Sequence, residues 1–206
     1  MVARIGTDEV GKGDFFGYLT IGGVYVDDKT AILLACKGVK DSKKLSDRQV
    51  FILEEVVKKT CPHEVVKISP ERYNQLYSNF GNLNKLLGWA HARVIENLLN
   101  KVDCSLVISD QFGDKNFLEE RLMEKGRKIN LVQKTHAESD IAVAAASILA
   151  RAEFLRSLES LSEHCGFKLP KGSTKVVEIA KKISKKNGRE FLNKIAKTHF
   201  KTMEQI

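Results

Sequence analysis

Four carboxylates in the sequence follow short apolar segments, and their positions favour a divalent metal site. Asp8 and Glu9 come directly after the apolar stretch that opens the chain, and Asp110 follows the segment SLVIS. Glu138 comes shortly after NLVQ. If these segments are parallel neighbouring strands, the four acids converge at one edge of a sheet, where their mutual repulsion calls for a compensating cation. Carboxylate oxygens are the ligands that Mg²⁺ and Mn²⁺ prefer.

Such a site suits phosphodiester chemistry, but the same residues also have ordinary structural interpretations. Two ions about 4 Å apart can clamp the attacking and leaving oxygens of an in-line displacement. An aspartate at a strand end, however, is usually a turn former or a helix cap. Glu138 lies in the first turn of a predicted helix, where the helix dipole alone favours an acid. From the residues alone, both interpretations stay open.

Two polar loops contain residues suited to phosphate contacts. Gly11 and Gly13 flank Lys12, which gives a backbone able to approach a ligand closely beside a cation. No Walker pattern follows these glycines, so the tripeptide alone is a weak signal. The stretch GVKDSKKL, residues 38–45, adds Ser42 and three lysines, namely Lys40, Lys43 and Lys44. A solvated loop explains this second stretch equally well.

The elements that must position these residues follow a mixed pattern of strands and helices. Alternation and apolar runs predict strands at 2–8, 18–26, 63–69, 104–110 and 128–134. Helical periodicity predicts helices at 45–59, 82–100, 140–161, 173–186 and about 189–197. Their expected first residues or caps are Ser46-Asp47, Ser139 or Asp140, and Ser173. A hairpin meander followed by strands that alternate with helices implies an α/β fold with a mixed sheet, its later strands parallel to the first.

Composition favours one soluble domain spanning residues 1–206. Hydrophobic residues make up 43% and charged residues 29% of the chain, and no apolar run approaches the ~20 residues of a membrane span. Acidic residues interrupt the first twenty positions, so no signal peptide is expected. The four cysteines show no metal-binding spacing and predict free thiols, which together with the missing signal peptide favours a cytoplasmic protein.

The charge of +8 is concentrated near the C-terminus. Residues 168–201 contain eleven Lys or Arg against Glu178 and Glu190, so this segment carries +9 and the remainder about −1. We call about 168–206 the basic tail and expect it to be helical. A concentrated basic segment suggests a polyanion partner, with nucleic acid the first candidate. The alternative is a solvated helix that packs on the core through Val177, Ala180 and Ile183.

Several motifs, long and in order, resemble the type 2 ribonucleases H. The opening GTDEVGKGDFFG is similar to the first motif of that family, and its Val-Gly-Lys-Gly-Asp version resembles ribonuclease HIII. The resemblance continues through GVKDSKKLS (38–46), YNQLY…NLNKLLGWAH (73–91), ISDQFG (108–113), THAESDIAVAAASILAR (135–151), LPKG (169–172) and AKTHFKT (196–202). It therefore covers nearly the whole chain.

The resemblance implies a ribonuclease H-like fold, with a mixed five-stranded sheet flanked by helices, and a two-ion Mg²⁺ or Mn²⁺ site. It implies an endonuclease that hydrolyses the RNA strand of RNA/DNA hybrids in DNA replication and repair, leaving 5′-phosphate and 3′-hydroxyl ends. The family's catalytic, metal-binding carboxylates fall on Asp8, Glu9, Asp110 and Glu138, the glutamate being the ribonuclease HIII form. The family's motif for ribose 2′-hydroxyls matches Gly11-Lys12-Gly13. By similarity, the substrate backbone contacts Ser42 and Lys43.

The implied partner is a hybrid duplex, without a membrane or a stable protein partner, and we expect a monomer. One alternative is ribonuclease HII-like nicking at single ribonucleotides in a DNA duplex. A second is a non-catalytic hybrid-binding module, which four carboxylates disfavour because binding phosphates gains nothing from acids. A third is another metal nuclease, such as a junction resolvase or transposase core, which the GKG and DSKKL motifs disfavour.

The sequence departs from the family pattern in three respects. Ribonuclease HIII enzymes usually carry an additional N-terminal domain that binds the hybrid. Because the first predicted strand begins at Val2, we expect a short form without that domain. Tyr18 replaces a common proline, and His136 stands where lysine is expected. We expect His136 to contact substrate peripherally rather than to act as a base, since metal-bound water needs no histidine.

Overall fold

The computed structural model describes residues 2–206, whose centre is a mixed five-stranded sheet. Its strands are β1 (Arg4–Val10), β2 (Leu19–Val26), β3 (His63–Ile68), β4 (Leu106–Asp110) and β5 (Asn130–Lys134). The order across the sheet is β3-β2-β1-β4-β5, so β1 is the central strand. β4 runs parallel to β1, with Thr7 opposite Ser109, and β5 runs parallel to β4. The predicted sheet and its parallel later strands are confirmed.

The described residues include eight α-helices. They are α1 (Asp28–Cys36), α2 (Asp47–Thr60), α3 (Pro70–Phe80), α4 (Leu83–Leu99), α5 (Asn116–Glu119), α6 (Ile141–Cys165), α7 (Val177–Asn187) and α8 (Leu192–Ile195). The predicted helices at 45–59, 82–100 and 140–161 correspond to α2, α4 and α6. In place of a helix over 189–197, a 3₁₀ turn at Arg189–Phe191 precedes the single turn of α8.

The helix caps explain most of these boundaries. Ser46 caps α2 as predicted, in a reciprocal capping box with Gln49. Asp140 Oδ1 accepts a hydrogen bond of 2.8 Å from the amide of Ala142, so Asp140 rather than Ser139 makes the cap interaction at the start of α6. The predicted start of α7 at Ser173 is wrong, because the helix begins at Val177 and no side chain caps it.

The chain packs as two compact units. The first contains the chain up to Glu9 together with Ile21–Val66 and Asn82–Ala152. The second contains Val10–Thr20, Lys67–Gly81 and Glu153–Ile206. The single domain expected from the composition stays a prediction. No helix within residues 2–206 is both long and apolar enough to cross a bilayer.

In the first unit, α4 and α6 pack on β1 and β2 by close contacts. A Cβ built on Gly6 of β1 would lie 2.2 Å from the backbone of Ala142 in α6, so only glycine allows this approach. On β2, a Cβ at Gly23 would lie 2.3 Å from the Val94 side chain in α4. Because neighbouring residues of a strand point to opposite faces, β1 can present one side chain to each helix.

In the second unit, α7 combines an apolar face with an exposed basic face. Ala180 and Ile183 are fully buried in a cluster that includes Phe15 and Phe16. The opposite face carries four exposed lysines, Lys181, Lys182, Lys185 and Lys186. The helical, basic character of this segment is therefore as predicted. The segment also packs on the core through its apolar face, as the alternative of a solvated helix predicts. One helix can both pack on the core and contact phosphates, because the two faces are opposite.

Candidate active site

Asp8 lies near the end of β1 and interacts with α6. Its carboxylate accepts a hydrogen bond of 2.8 Å from the Glu9 amide and another from Ser147. Burial, together with the negative charges of Glu9 and then Asp110, raises the pKa of Asp8 from 3.8 to about 8 in spite of these two hydrogen bonds. The carboxylate is therefore held in a place where its own charge is strongly disfavoured.

Glu9 interacts with α4 instead. It is buried, and its Oε2 lies 3.1 Å from Nε2 of the fully buried His91. The adjacent carboxylates of Asp8 and Glu9 are thus supported from two different helices. His91 was not among the predicted site residues. The signal that would have found it is a histidine within the apolar stripe of α4, between Leu87 and Val94.

Asp110 fixes the turn that carries Glu138. Asp110 ends β4, and its Oδ1 accepts a hydrogen bond of 3.1 Å from the amide of Ala137. Ala137–Ser139 form a 3₁₀ turn, entered through His136 in a left-handed conformation with φ of 56°. Among residues 2–206, no other non-glycine residue has a positive φ. This conformation costs roughly 1–2 kcal/mol, and the turn that bears Glu138 is maintained in spite of it.

A lysine and a histidine lie beside Glu138. Lys43 Nζ and His136 Nδ1 lie 3.9 and 3.8 Å from Glu138 Oε1. Lys43 and His136 are 78% and 92% exposed, whereas the Glu138 side chain is 18% exposed. A cavity of about 390 Å³ opens here, lined by residues that include Lys40, Asp41, Lys44, His136, Glu138 and Ser139. The exposed cations can therefore reach a phosphate that approaches Glu138.

Ser42 points into the protein rather than outward. It is 2% exposed, its hydroxyl shares a hydrogen bond of 2.7 Å with Ser147, and its carbonyl accepts from Arg151. Because Ser147 also bonds Asp8, the DSKKL loop is connected to the carboxylate through two hydroxyls. The substrate contacts predicted for Ser42 and Lys43 stay predictions, and Lys43 is the exposed member of the pair.

The Gly11-Lys12-Gly13 turn belongs to the second unit, and its two glycines differ. Gly11 has φ of 99°, and a Cβ there would lie 2.1 Å from the carbonyl oxygen of Tyr18. Gly13 is exposed, and no atom lies within 4 Å of its hypothetical Cβ. Gly11 is therefore required by the fold itself, whereas Gly13 has space that a ligand can use.

Lys197 holds the loop that follows this turn. Its Nζ donates to the carbonyl oxygens of Asp14 at 2.9 Å and Gly17 at 2.6 Å. The side chain is fully buried, and this burial lowers the pKa of Lys197 to about 7. Lys197 is one of the eleven Lys or Arg counted in the basic tail, but its side chain is committed to the protein interior and cannot contact a phosphate.

The acidic residues fit a divalent cation by their chemistry, although they do not form a closed ligand cage. Within residues 2–206, no three Asp, Glu, His or Cys side chains lie close enough together to hold an ion as they stand. The charges of Glu9 and Asp110 nevertheless both raise the pKa of Asp8, so the three carboxylates repel one another at that point. Hard oxygen ligands of this kind suit Mg²⁺ or Mn²⁺, which relieves such repulsion.

Comparison with known proteins identifies the family. The family model described as Ribonuclease HII matches residues 5–203. The chain belongs to the ribonuclease HII family. This membership makes it a ribonuclease H, a hydrolase of nucleic acid, and confirms the resemblance to type 2 enzymes.

Its relatives include proteins named ribonuclease HIII. The one from Protochlamydia amoebophila is 46% identical, and the match covers 100% of this chain and 69% of the relative. The one from Chlamydia felis is 44% identical over 98% of this chain and 69% of its own length. A crystal structure of Bst-RNase HIII in complex with Mn²⁺ superposes with a TM-score of 0.92 at 33% identity, covering 99% of this chain and 68% of that one. The ribonuclease H-like fold is thereby confirmed.

Replacing Asp8 by Asn tests whether this carboxylate is under electrostatic stress. Without metal, folded Asp8 keeps its proton to about pH 8, whereas the unfolded chain releases it near 3.8. Wild-type stability therefore falls as pH rises through this window, because the folded state binds more protons. In EDTA, we expect Asp8→Asn to unfold at a higher temperature than wild type at pH 8, and the difference should shrink toward pH 4.

Thermal denaturation monitored by circular dichroism measures this difference. Added Mn²⁺ should raise the melting temperature of wild type at pH 8 more than that of the variant. A variant less stable than wild type at pH 8 in EDTA would contradict the stressed carboxylate.

Proposed function

We propose that this protein is an endonuclease that cuts the RNA strand of RNA/DNA hybrids with the help of two divalent ions, Mg²⁺ or Mn²⁺. The observation that carries the proposal is the parallel register of β1 and β4, in which Thr7 lies opposite Ser109. Asp8, Glu9 and Asp110 are therefore at the same end of neighbouring strands. Ligands of parallel sheets bind at this end, and the family relationship supplies the reaction class.

Four carboxylates would hold the ions: Asp8, Glu9, Asp110 and Glu138. When bound, such ions make a nucleophile from water and neutralise charge on the leaving 3′-oxygen. The protein's own part is to orient these ligands. Ser147 and the Glu9 amide orient Asp8, and the Ala137 amide orients Asp110. In-line attack at phosphorus breaks the bond to the 3′-oxygen, which leaves a 3′-hydroxyl and a 5′-phosphate.

Lys43 and His136, the side chains beside Glu138, would position the scissile strand. Lys43 and His136 are exposed and within 4 Å of Glu138. An ammonium group at this distance can bind a phosphate oxygen and bring the phosphodiester to the ions. His136 is then a substrate contact and not a base. Ser42, whose hydroxyl is bonded to Ser147, would contribute through the position of its loop.

Recognition of RNA is assigned to Gly11, Lys12 and Gly13. A contact with the 2′-hydroxyl is how a protein tells ribose from deoxyribose. A backbone that lacks Cβ atoms allows a sugar to approach within hydrogen-bonding distance. The exposed lysines of α7 would add contacts to phosphates away from the cut. The partner is then a hybrid duplex, bound by a monomer.

A cleavage assay on three substrates tests the proposal. The substrates are a uniform RNA/DNA hybrid, DNA with one embedded ribonucleotide, and a four-way DNA junction, each with Mg²⁺, Mn²⁺ or EDTA. We expect multiple cuts in the hybrid RNA, 5′-phosphate ends by mass spectrometry, and no cleavage in EDTA. Asp110→Asn should reduce the rate by orders of magnitude with the fold intact.

Each other outcome has a defined meaning. Cleavage only at the single ribonucleotide would replace the proposal by ribonuclease HII-like nicking. Junction cleavage without hybrid cleavage would assign a different nuclease. Tight hybrid binding without any cleavage in either metal would make the protein a binding module.

The open space at Gly13 allows a clean test of ribose recognition. Gly13→Ala should fold normally, because nothing surrounds the added Cβ. We expect KM for the hybrid to rise about tenfold, which corresponds to about 1.4 kcal/mol, while binding to a DNA duplex changes little. Steady-state kinetics and fluorescence anisotropy measure the two effects.

Gly11→Ala serves as the structural comparison for that variant. Its Cβ would meet the Tyr18 carbonyl, so we expect it to lower the melting temperature as well as activity. If Gly13→Ala weakened binding to DNA and hybrid equally, the turn would be a general phosphate contact and not a ribose sensor.

The exposed face of α7 can be tested by removing its charge. Changing Lys181, Lys182, Lys185 and Lys186 together to Gln leaves the buried Ala180 and Ile183 unaltered and also removes the cation–π contact of Lys186 with Phe167. We expect hybrid affinity to fall and the plot of log affinity against log salt to flatten by roughly 0.9 for each phosphate that the variant no longer binds. The value of kcat at saturating substrate should change little, since no carboxylate is altered.

A matched control removes four exposed lysines elsewhere, by Lys29, Lys37, Lys59 and Lys128 to Gln. It changes net charge equally, so a specific role for α7 requires a steeper salt dependence in this control than in the α7 variant. Identical salt dependences for wild type and the α7 variant would assign the substrate contacts to Lys40, Lys43 and Lys44 instead.

A further inference from the structure

His91 is a fully buried polar residue on the apolar face of α4. It lies in the middle of α4 and is fully buried, among helix neighbours that are also buried, such as Leu87, Ala90 and Val94. A buried imidazole is costly unless both ring nitrogens have partners. A leucine at this position would avoid that cost. A histidine at this position is therefore expected to have a hydrogen-bond partner at each ring nitrogen.

Both nitrogens of His91 face the strand ends that carry the site. Nδ1 lies 3.0 Å from the hydroxyl of Thr7 and 3.5 Å from that of Ser109, and Nε2 lies 3.1 Å from Glu9 Oε2. Thr7 and Glu9 are two residues apart on β1, so they share one face of the strand. Ser109 is the cross-strand neighbour of Thr7 on β4. The imidazole thus joins both strands at their carboxyl ends.

These partners engage both sides of the ring. An ionised Glu9 only accepts hydrogen bonds, so Nε2 carries a proton and donates it to Oε2. Nδ1 shares a hydrogen bond with the Thr7 hydroxyl. Phe112, two residues after Asp110, stacks on the imidazole with centroids 4.9 Å apart at 28°. The ring plane and its donor are therefore both fixed.

We propose that His91 is a positioning residue that orients the Glu9 carboxylate for metal binding. The inference rests on the proposed function, because it requires Glu9 to be a ligand. The hydrogen bond holds one oxygen of Glu9 toward α4 and so sets the rotation of the carboxylate. Groups that orient a ligand in this way typically change metal affinity 10- to 100-fold when removed. Thr7 acts one step further out, through its hydrogen bond to Nδ1 of the ring.

A purely structural role makes a different prediction. Replacing a buried polar pair by apolar groups of similar size is often neutral or stabilising. If His91 only packed α4 on β1, Leu at this position would leave metal binding unchanged. If it positions Glu9, Leu frees the carboxylate to rotate and metal affinity falls, even where the protein is as stable as before.

The test measures Mn²⁺ binding directly, by isothermal titration calorimetry on the full chain at one fixed pH without substrate. We expect His91→Leu to weaken Mn²⁺ binding 10- to 100-fold. His91→Gln should recover most of the affinity, because its amide can also donate to Glu9. Thr7→Val, which needs no cavity, should give a smaller loss in the same direction. Val94→Ala in the same helix should lower the melting temperature and leave Mn²⁺ affinity unchanged.

A double-mutant cycle with Glu9→Gln separates positioning from packing. If His91 acts through Glu9, His91→Leu should cause little further loss in the Glu9→Gln background. In cleavage assays, the Mn²⁺ concentration for half-maximal rate should rise for His91→Leu, while KM for the hybrid stays near the wild-type value.

The outcomes that overturn the inference are distinct from failure of the proposed function. Wild type that binds Mn²⁺ and cleaves hybrid, together with a His91→Leu variant of equal Mn²⁺ affinity, would refute the positioning role alone. An equal loss from His91→Leu with and without Glu9→Gln would refute it as well. If His91→Leu fails to fold, unchanged Mn²⁺ affinity in Thr7→Val refutes it. Wild type that neither binds Mn²⁺ nor cleaves would remove the proposed function first.

Discussion

Repulsion between carboxylates at the ends of β1 and β4 is the interaction on which the site depends. The parallel register brings Asp8, Glu9 and Asp110 to one end of adjacent strands, and the pKa of Asp8 rises to about 8 as a result of burial and of its two neighbours. Hydrogen bonds from Ser147 and the Glu9 amide lower the pKa of Asp8 but do not offset burial and the neighbouring charges. A cation bound beside these carboxylates would relieve their mutual repulsion.

The hydrogen bonds that hold these carboxylates in place come from different helices of the first unit. Because side chains alternate along β1, Asp8 is supported by Ser147 of α6, while Glu9 is supported by His91 of α4. Asp110 in turn fixes the turn of Glu138 through the Ala137 amide. The close contact of Gly6 with Ala142 makes this possible, since α6 must approach β1 for Ser147 to reach Asp8. The packing of α6 on β1 therefore also sets the position of the Asp8 carboxylate.

Sequence reasoning found what depends on local pattern and missed what depends on tertiary contact. Acidic residues after apolar runs correctly indicated where strands end, and the capping residues Ser46 and Asp140 correctly indicated where two helices begin. The helix α3 was missed although Ser69 caps it, Pro70 opens it and Gly81 ends it in a left-handed conformation, all of which are local signals. The start of α7 was wrong because Ser173 resembles a cap but is not used as one. Among the polar residues that turn inward, His91 has a local signal in the apolar stripe of α4, whereas Ser42 and Lys197 have none.

Three residues illustrate this limit. Ser42 and Lys43 are adjacent in a polar loop, yet one is buried against Ser147 and the other is largely exposed. Lys197 looks like one more charge of the basic tail, but two carbonyl oxygens bind its ammonium group inside the second unit. Composition treats these lysines as equivalent. Only the surrounding fold decides whether such a charge faces a substrate or holds a loop.

Anomalous diffraction from crystals grown with Mn²⁺ tests the central claim most directly. The account predicts Mn²⁺ bound to Asp8, with further ligands drawn from Glu9, Asp110 and Glu138, and no comparable occupancy in crystals of Asp8→Asn. Ligand distances of about 2.0–2.2 Å would agree with a hard divalent ion on carboxylate oxygens. The claim would be contradicted if, at a saturating Mn²⁺ concentration, the ion bound elsewhere and the four carboxylates held no metal.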